Sequence, residues 1–309
     1  MTIRIALALS AIVLATLAHP WQSLTERWVL GGAVVVVLAV FAWWRGLFVT
    51  TMIRRRVAVW RRNHSKPKLR PTSQVTVLMQ VADPARVGLP LPVVASYVDR
   101  FGVRCNKIRV TSLADGDTRA TWIGITLDAG DNLAALAARS PELPLSDTAE
   151  VVGRRLADHL RELGLEATIV DDAAAPLNGS GKESWSRFRD DVGYLTAYGL
   201  PVDESFTERI GEARAQQAHT WTALEFSGSS AHPTVAAACA FRTQEPLKKL
   251  PVPGLVAQRG VQRPLLAALD PRSVHRLGLN ASPLGARLLD QLGWPSVEHE
   301  VAHEPSHPA

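Results

Sequence analysis

The chain has 309 residues, with 34 Lys and Arg against 29 Asp and Glu and 47% hydrophobic residues. Its formal charge of +5 is uneven: residues 45–70 hold nine Lys or Arg and no Asp or Glu, and the chain after them holds 23 basic and 28 acidic residues. An acidic body of this kind lacks the basic face that nucleic acid requires, and two cysteines, Cys105 and Cys239, supply neither a disulfide framework nor a CxxC metal motif.

The first apolar run, IRIALALSAIVLATLA from Ile3 to Ala18, has two readings. A basic start, an apolar centre and small residues before His19 suit a cleaved signal peptide. A membrane span, with Arg4 snorkelling and Trp21 in the interface, is favoured because a second apolar segment follows closely. That segment, Trp28 to Val49, holds 22 residues with Arg45 as its only charge. As one helix it would extend about 33 Å, enough to cross a hydrocarbon core of about 30 Å. Two spans are therefore expected, at about 3–20 and 28–49. The basic residues that follow put the N-terminus and the C-terminal body in the cytoplasm by the positive-inside rule.

Residues 50–71 read as a basic juxtamembrane helix and linker, ended by Pro67 and Pro71. Val49, Ile53, Val57 and Trp60 recur at spacings of four, four and three, an apolar stripe on one helical face. Arg54, Arg55, Arg56, Arg61 and Arg62 cover the remainder. Such a helix can meet a partner helix along the stripe and anionic lipid through its arginines.

Beyond the prolines the periodicity changes. Strands are expected at 74–81, 103–113, 118–129 and 165–172, with helices at 91–102, around NLAALAAR, and at 147–164. The order βαββαβ over 72–172 is that of a ferredoxin-like sandwich. A loop at 173–190 leads to a second α/β lobe at 191–295. There a strand at 192–200, a helix near 203–214 and the hairpin QAHTWTALEFSG with HPTVAAACAFRT precede a Pro-rich stretch at 246–264, a strand at PLLAALD and a helix at 283–293. Residues 296–309 form a His- and Glu-bearing tail expected to be disordered. The fold class is thus a membrane-anchored α+β protein.

Motifs for chemistry are weak. NGSGKES at 178–184 lacks the P-loop's first glycine, replaced by Pro176, and its Ser or Thr after lysine, replaced by Glu183. Asp115 and Asp117 flank Gly116 and resemble the paired carboxylates of metal-dependent glycosyltransferases, although Asp-Gly between strands is a hairpin-turn signal. Asp171 and Asp172 end a strand without partners in the sequence pattern. Ser227, Ser229 and Ser230 near His232 lack a GxSxG elbow. His299 and His303 would share one face of a helix and could chelate zinc, but Pro305 and Pro308 limit any helix there.

Two apolar N-terminal runs with a short loop, the basic exit RRRVAVWRRN, and the strands ATWIGITLDAGDNLAAL and TWTALEFSGSSAHPTVAAACAFRT together resemble the EccE family, membrane subunits of the mycobacterial type VII (ESX) secretion machinery. The modest length is similar to members from the third such system, the one associated with iron and siderophore-linked uptake. The resemblance implies a non-enzymatic subunit with two transmembrane helices and a cytoplasmic domain. It implies a place in an inner-membrane complex with EccB, EccC and EccD, in which EccC is the FtsK-like ATPase. It carries no catalytic or cofactor-binding residue onto this sequence. The alternative is a membrane-tethered glycosyltransferase-like enzyme using Asp115 and Asp117.

Overall fold

The computed structural model describes residues 9–10, 12–13, 16–17, 23–41, 43–44, 47–64, 73–116, 118–177, 179–216, 219–285, 288–289 and 292–294. The chain divides into two compact units, Met1–Pro67 and Lys68–Ala309.

In the first unit, helix α1 spans Leu24–Phe41. A short antiparallel pair follows, β1 (Trp43–Trp44) and β2 (Leu47–Phe48), and then helix α2, Val49–His64. This layout corrects the expected pair of transmembrane helices and the two-pass topology that depends on them. Among the described residues no helix is long and apolar enough to cross a membrane. The segment read as one 28–49 span is broken into α1, the β1–β2 pair and the start of α2. The apolar part of α1, from Trp28 to Phe41, is 14 residues; at about 1.5 Å per residue it covers roughly 21 Å, short of the ~30 Å hydrocarbon core. The first apolar run falls mostly outside the described residues.

The second unit is built on one large antiparallel sheet rather than on two small sandwiches. Its strands are β3 (Gln74–Ala82), β5 (Val103–Asp115), β6 (Thr118–Asp128), β7 (Glu166–Val170), β8 (Lys182–Glu183), β9 (Phe188–Arg189), β10 (Tyr194–Leu200), β11 (His219–Gly228) and β12 (Pro233–Thr243), in the order β7-β3-β6-β5-β11-β12-β10-β9-β8. Short strands β4 (Asp99–Arg100), β13 (Val256–Ala257) and β14 (Ser282–Pro283) pair with β5, β10 and β12. The first half has the order of a split βαβ unit. The second half continues it edge to edge, because β5 pairs with β11 from Ile108↔Phe226 to Ala114↔Thr220.

Both faces of the sheet are covered, so its central strands β6, β5, β11 and β12 are buried almost throughout, polar residues included. One face carries Val77, Met79, Val81, Ile123, Ile125, Leu224 and Phe226. Against it pack α5 (Leu145–Glu162), through Ala149, Val152, Leu156 and Leu160, and α6 (Phe206–Arg214), through Phe206 and Ile210. The other face carries Leu78, Trp122, Trp221 and the alanines 236, 238 and 240 of β12, which leave room for α7 (Gln262–Leu269).

Helix α7 corrects the strand expected at PLLAALD. Leu265, Leu266 and Leu269 share one helical face and are buried there, and Pro264 in the first turn is compatible with a helix start. Helix α3 (Leu91–Ser96) ends earlier than the expected 91–102, because the chain turns back to form β4. Helix α4 is Leu133–Arg139. Of the expected helix at 283–293, Pro283 belongs instead to β14 and residues 288–289 are helical, while 286, 287, 290 and 291 lie outside the described residues.

Candidate functional site: an exposed basic helix and a buried charged seam

Helix α2 has neither Gly nor Pro, and its last turn carries Arg61 and Arg62, cations where the helix dipole favours them. None of its residues is buried. Ile53 is 57% exposed, Val57 51% and Trp60 62%, and Val49 at the head of the stripe is half-buried. The Trp60 ring stacks on His64 with centroids 5.0 Å apart, and His64 Nδ1 donates to the Trp60 carbonyl at 2.7 Å. Burial, followed by the charge of Arg54, lowers the Arg55 pKa. The helix therefore carries an exposed apolar stripe with arginines beside it.

Within the sheet, a second charged group forms the seam between the two halves. Arg109 on β5 lies opposite Glu225 on β11 and forms an ion pair of 2.6 Å, with side chains 1% and 5% exposed. Lys107, two residues along β5, shares the face. The segment 270–277 lies over all three. Lys107 Nζ donates to the carbonyls of Ser273 at 2.5 Å and His275 at 2.6 Å. Arg109 donates to Asp270 O at 3.3 Å and His275 O at 2.5 Å, and Glu225 Oε2 accepts from the Leu277 amide at 3.2 Å. Burial, with Arg109 next in weight, pushes the Lys107 pKa down to about 6. Gly124 on β6 sits beneath the same segment, and a Cβ there would collide with the Pro271 carbonyl. Sequence reading missed this seam, because Lys107 and Arg109 alternate with Ile108 and Val110 as solvent-facing residues of a strand would.

The residues singled out for chemistry are dispersed. Asp115 ends β5 at the turn before Thr118, with Gly116 at φ +59°, and its carboxylate meets His219 Nδ1 at 3.1 Å. Asp117, His299 and His303 lie outside the described residues. Ser227 bonds Thr234 at 3.0 Å across the β11–β12 hairpin, and the Ser230 amide and hydroxyl both donate to Asp99 at 3.2 Å. Asp172 pairs with Arg272 at 2.9 Å. Cys105 and Cys239 are buried thiols, and burial raises both pKa values, that of Cys105 to about 12. Among the described residues no group of three or more His, Cys, Asp or Glu could hold a metal ion.

The chain is thus an α+β protein of two units, one built on a broad antiparallel sheet with buried charges and the other bearing a basic helix with an exposed apolar stripe. The family model described as "type VII ESX secretion system translocon, EccE" matches residues 117–200. The ESX-3 secretion system protein EccE3 of Mycolicibacterium smegmatis is 48% identical over 314 residues, covering 100% of both chains. EccE3 of Mycobacterium tuberculosis is 44% identical over 306 residues, covering 95% of this chain and 92% of its own. The chain belongs to the EccE family of type VII (ESX) secretion-system proteins.

Proposed function

We propose that the chain is a non-catalytic assembly subunit of an ESX-3 type secretion complex at the inner membrane, and that α2 is a principal contact surface. The observation that carries this reading is the exposure of Ile53, Val57 and Trp60 beside a run of arginines. Leaving such a ridge in water is unfavourable at about 25 cal/mol per Å² of apolar area, so covering it favours association. Partner helices of subunits such as EccB, EccC or EccD fit the ridge, and anionic lipid fits the guanidiniums of Arg54, Arg55, Arg56, Arg61 and Arg62. Membrane association then follows from these contacts. A link to siderophore-mediated iron acquisition draws support from similarity to ESX-3 proteins, and growth of a deletion strain under iron chelation tests it.

The assembly reading is tested by extracting tagged full-length chain in mild detergent. Recovery of the ATPase subunit in a very large particle is expected, and a lone monomer would contradict it.

A further inference from the structure

The hairpin joining β4 to β5 has an unusual choice of residue. Asp99 pairs with Arg104 and Arg100 with Val103, which leaves Phe101 and Gly102 as its two-residue turn. Both have positive φ, 57° and 73°. A two-residue turn of this kind is met at low strain by Asn-Gly or Asp-Gly, whereas a bulky residue with positive φ is an outlier. The ring does not turn inward to bury itself: Phe101 is 56% exposed.

Two guanidiniums lie over that ring, Arg100 at 4.8 Å and Arg155 of α5 at 5.0 Å from its centroid. Arg100 also lies 4.8 Å from the Tyr97 ring, and Tyr97 meets Phe101 edge-on at 6.0 Å. The base of the hairpin is fixed by the Asp99 bonds to Ser230 and by the Cys105 amide, which donates to Val98 O at 2.7 Å. The result is an aromatic knob on a rigid support with two cations held in place beside it. Backbone strain retained at an exposed position points to use of the side chain rather than to packing.

We propose that Phe101, Arg100 and Arg155 form a docking knob for an apolar pocket rimmed by Asp or Glu on another subunit of the secretion complex. The inference rests on the assembly reading above. Aromatic and Arg side chains dominate binding energy at interfaces. Guanidiniums held by cation–π contact lose less freedom on binding, and their planar forks match carboxylates. Charge complementarity therefore selects an acidic partner surface.

Phe101→Asn keeps the turn chemistry and removes the knob. In the full-length tagged chain, the thermal midpoint is expected to hold or rise, while recovery of the other secretion subunits falls at least five-fold. Arg155→Gln should lower recovery too. Arg154→Gln should not, because Arg154 pairs with Glu150 at 2.8 Å and takes no part in the knob. A photo-reactive phenylalanine at position 101 should cross-link to another secretion subunit. Unchanged recovery for Phe101→Asn would overturn the proposal, as would a midpoint lowered by several degrees, which would make the ring a local brace. A cross-link only to lipid or to a second copy would do the same. If the wild-type chain forms no large particle, the assembly reading itself fails.

Discussion

Single polar side chains do the work of backbone at the irregular points of the sheet. Asn132 is buried, accepts from the Arg104 amide at 2.8 Å, and donates to the carbonyls of Arg104 at 2.8 Å and Asp128 at 2.9 Å. It thereby closes the gap beside the register shift between Cys105 and Lys107. Asn132→Ala strands those backbone groups, and chemical denaturation should show a loss of about 1–3 kcal/mol. Lys107 gives a pH dependence of defined sign. Its folded pKa of about 6 lies below the ordinary 10.5, so between these values the unfolded chain binds the extra proton and stability rises with pH. Against Lys107→Met, the wild-type protein should gain up to about 1.4 kcal/mol per pH unit across that window. An identical pH slope in the two proteins would show that Lys107 stays charged when folded. Neither role was legible in the sequence. Asn132 read as the first residue of the helical stretch NLAALAAR, and burial of Lys107 depends on the segment 270–277, far along the chain.

Elements were legible where periodicity was strong and local. The helix expected at 147–164 forms two residues earlier, at Leu145–Glu162, and the hairpin of β11 and β12 forms from the two segments expected to make it. The stretch 246–264 gave no pattern, and α7, beginning inside it, was misread because a short apolar run fits a buried strand as well as a buried helix. The element most sensitive to one atom is the 270–277 segment over β6. Gly124→Ala puts a methyl group against the Pro271 carbonyl, and the urea midpoint should fall by an amount equivalent to about 1–3 kcal/mol. For α2, each arginine near an anionic surface contributes about 1 kcal/mol, so converting Arg54, Arg55 and Arg56 together to Gln should weaken binding to anionic vesicles by roughly 100-fold. Flotation with neutral vesicles should show no such difference.

At the scale of the whole molecule, the sequence suggested two lobes and the structure has one sheet. The join is β5 with β11, Arg109 facing Glu225 across more than a hundred residues of chain. Nothing local in either strand announces that pairing. The reverse error occurred at the N-terminus, where composition suggested a spanning helix and a strand pair at Trp43–Trp44 and Leu47–Phe48 interrupts it. Of the two proposed contact surfaces, the spacing of the α2 stripe can be read locally, whereas the Phe101 knob depends on a backbone angle that a sequence does not display. The central claim is that the α2 ridge holds this chain in a secretion complex. Its most direct test is the particle recovered in mild detergent from cells carrying wild-type chain or the triple variant Ile53→Ser, Val57→Ser, Trp60→Ser. The account predicts that wild type migrates with the other secretion subunits and that the variant migrates alone, its body melting at an unchanged temperature. Recovery of the variant in the particle at wild-type yield would contradict it.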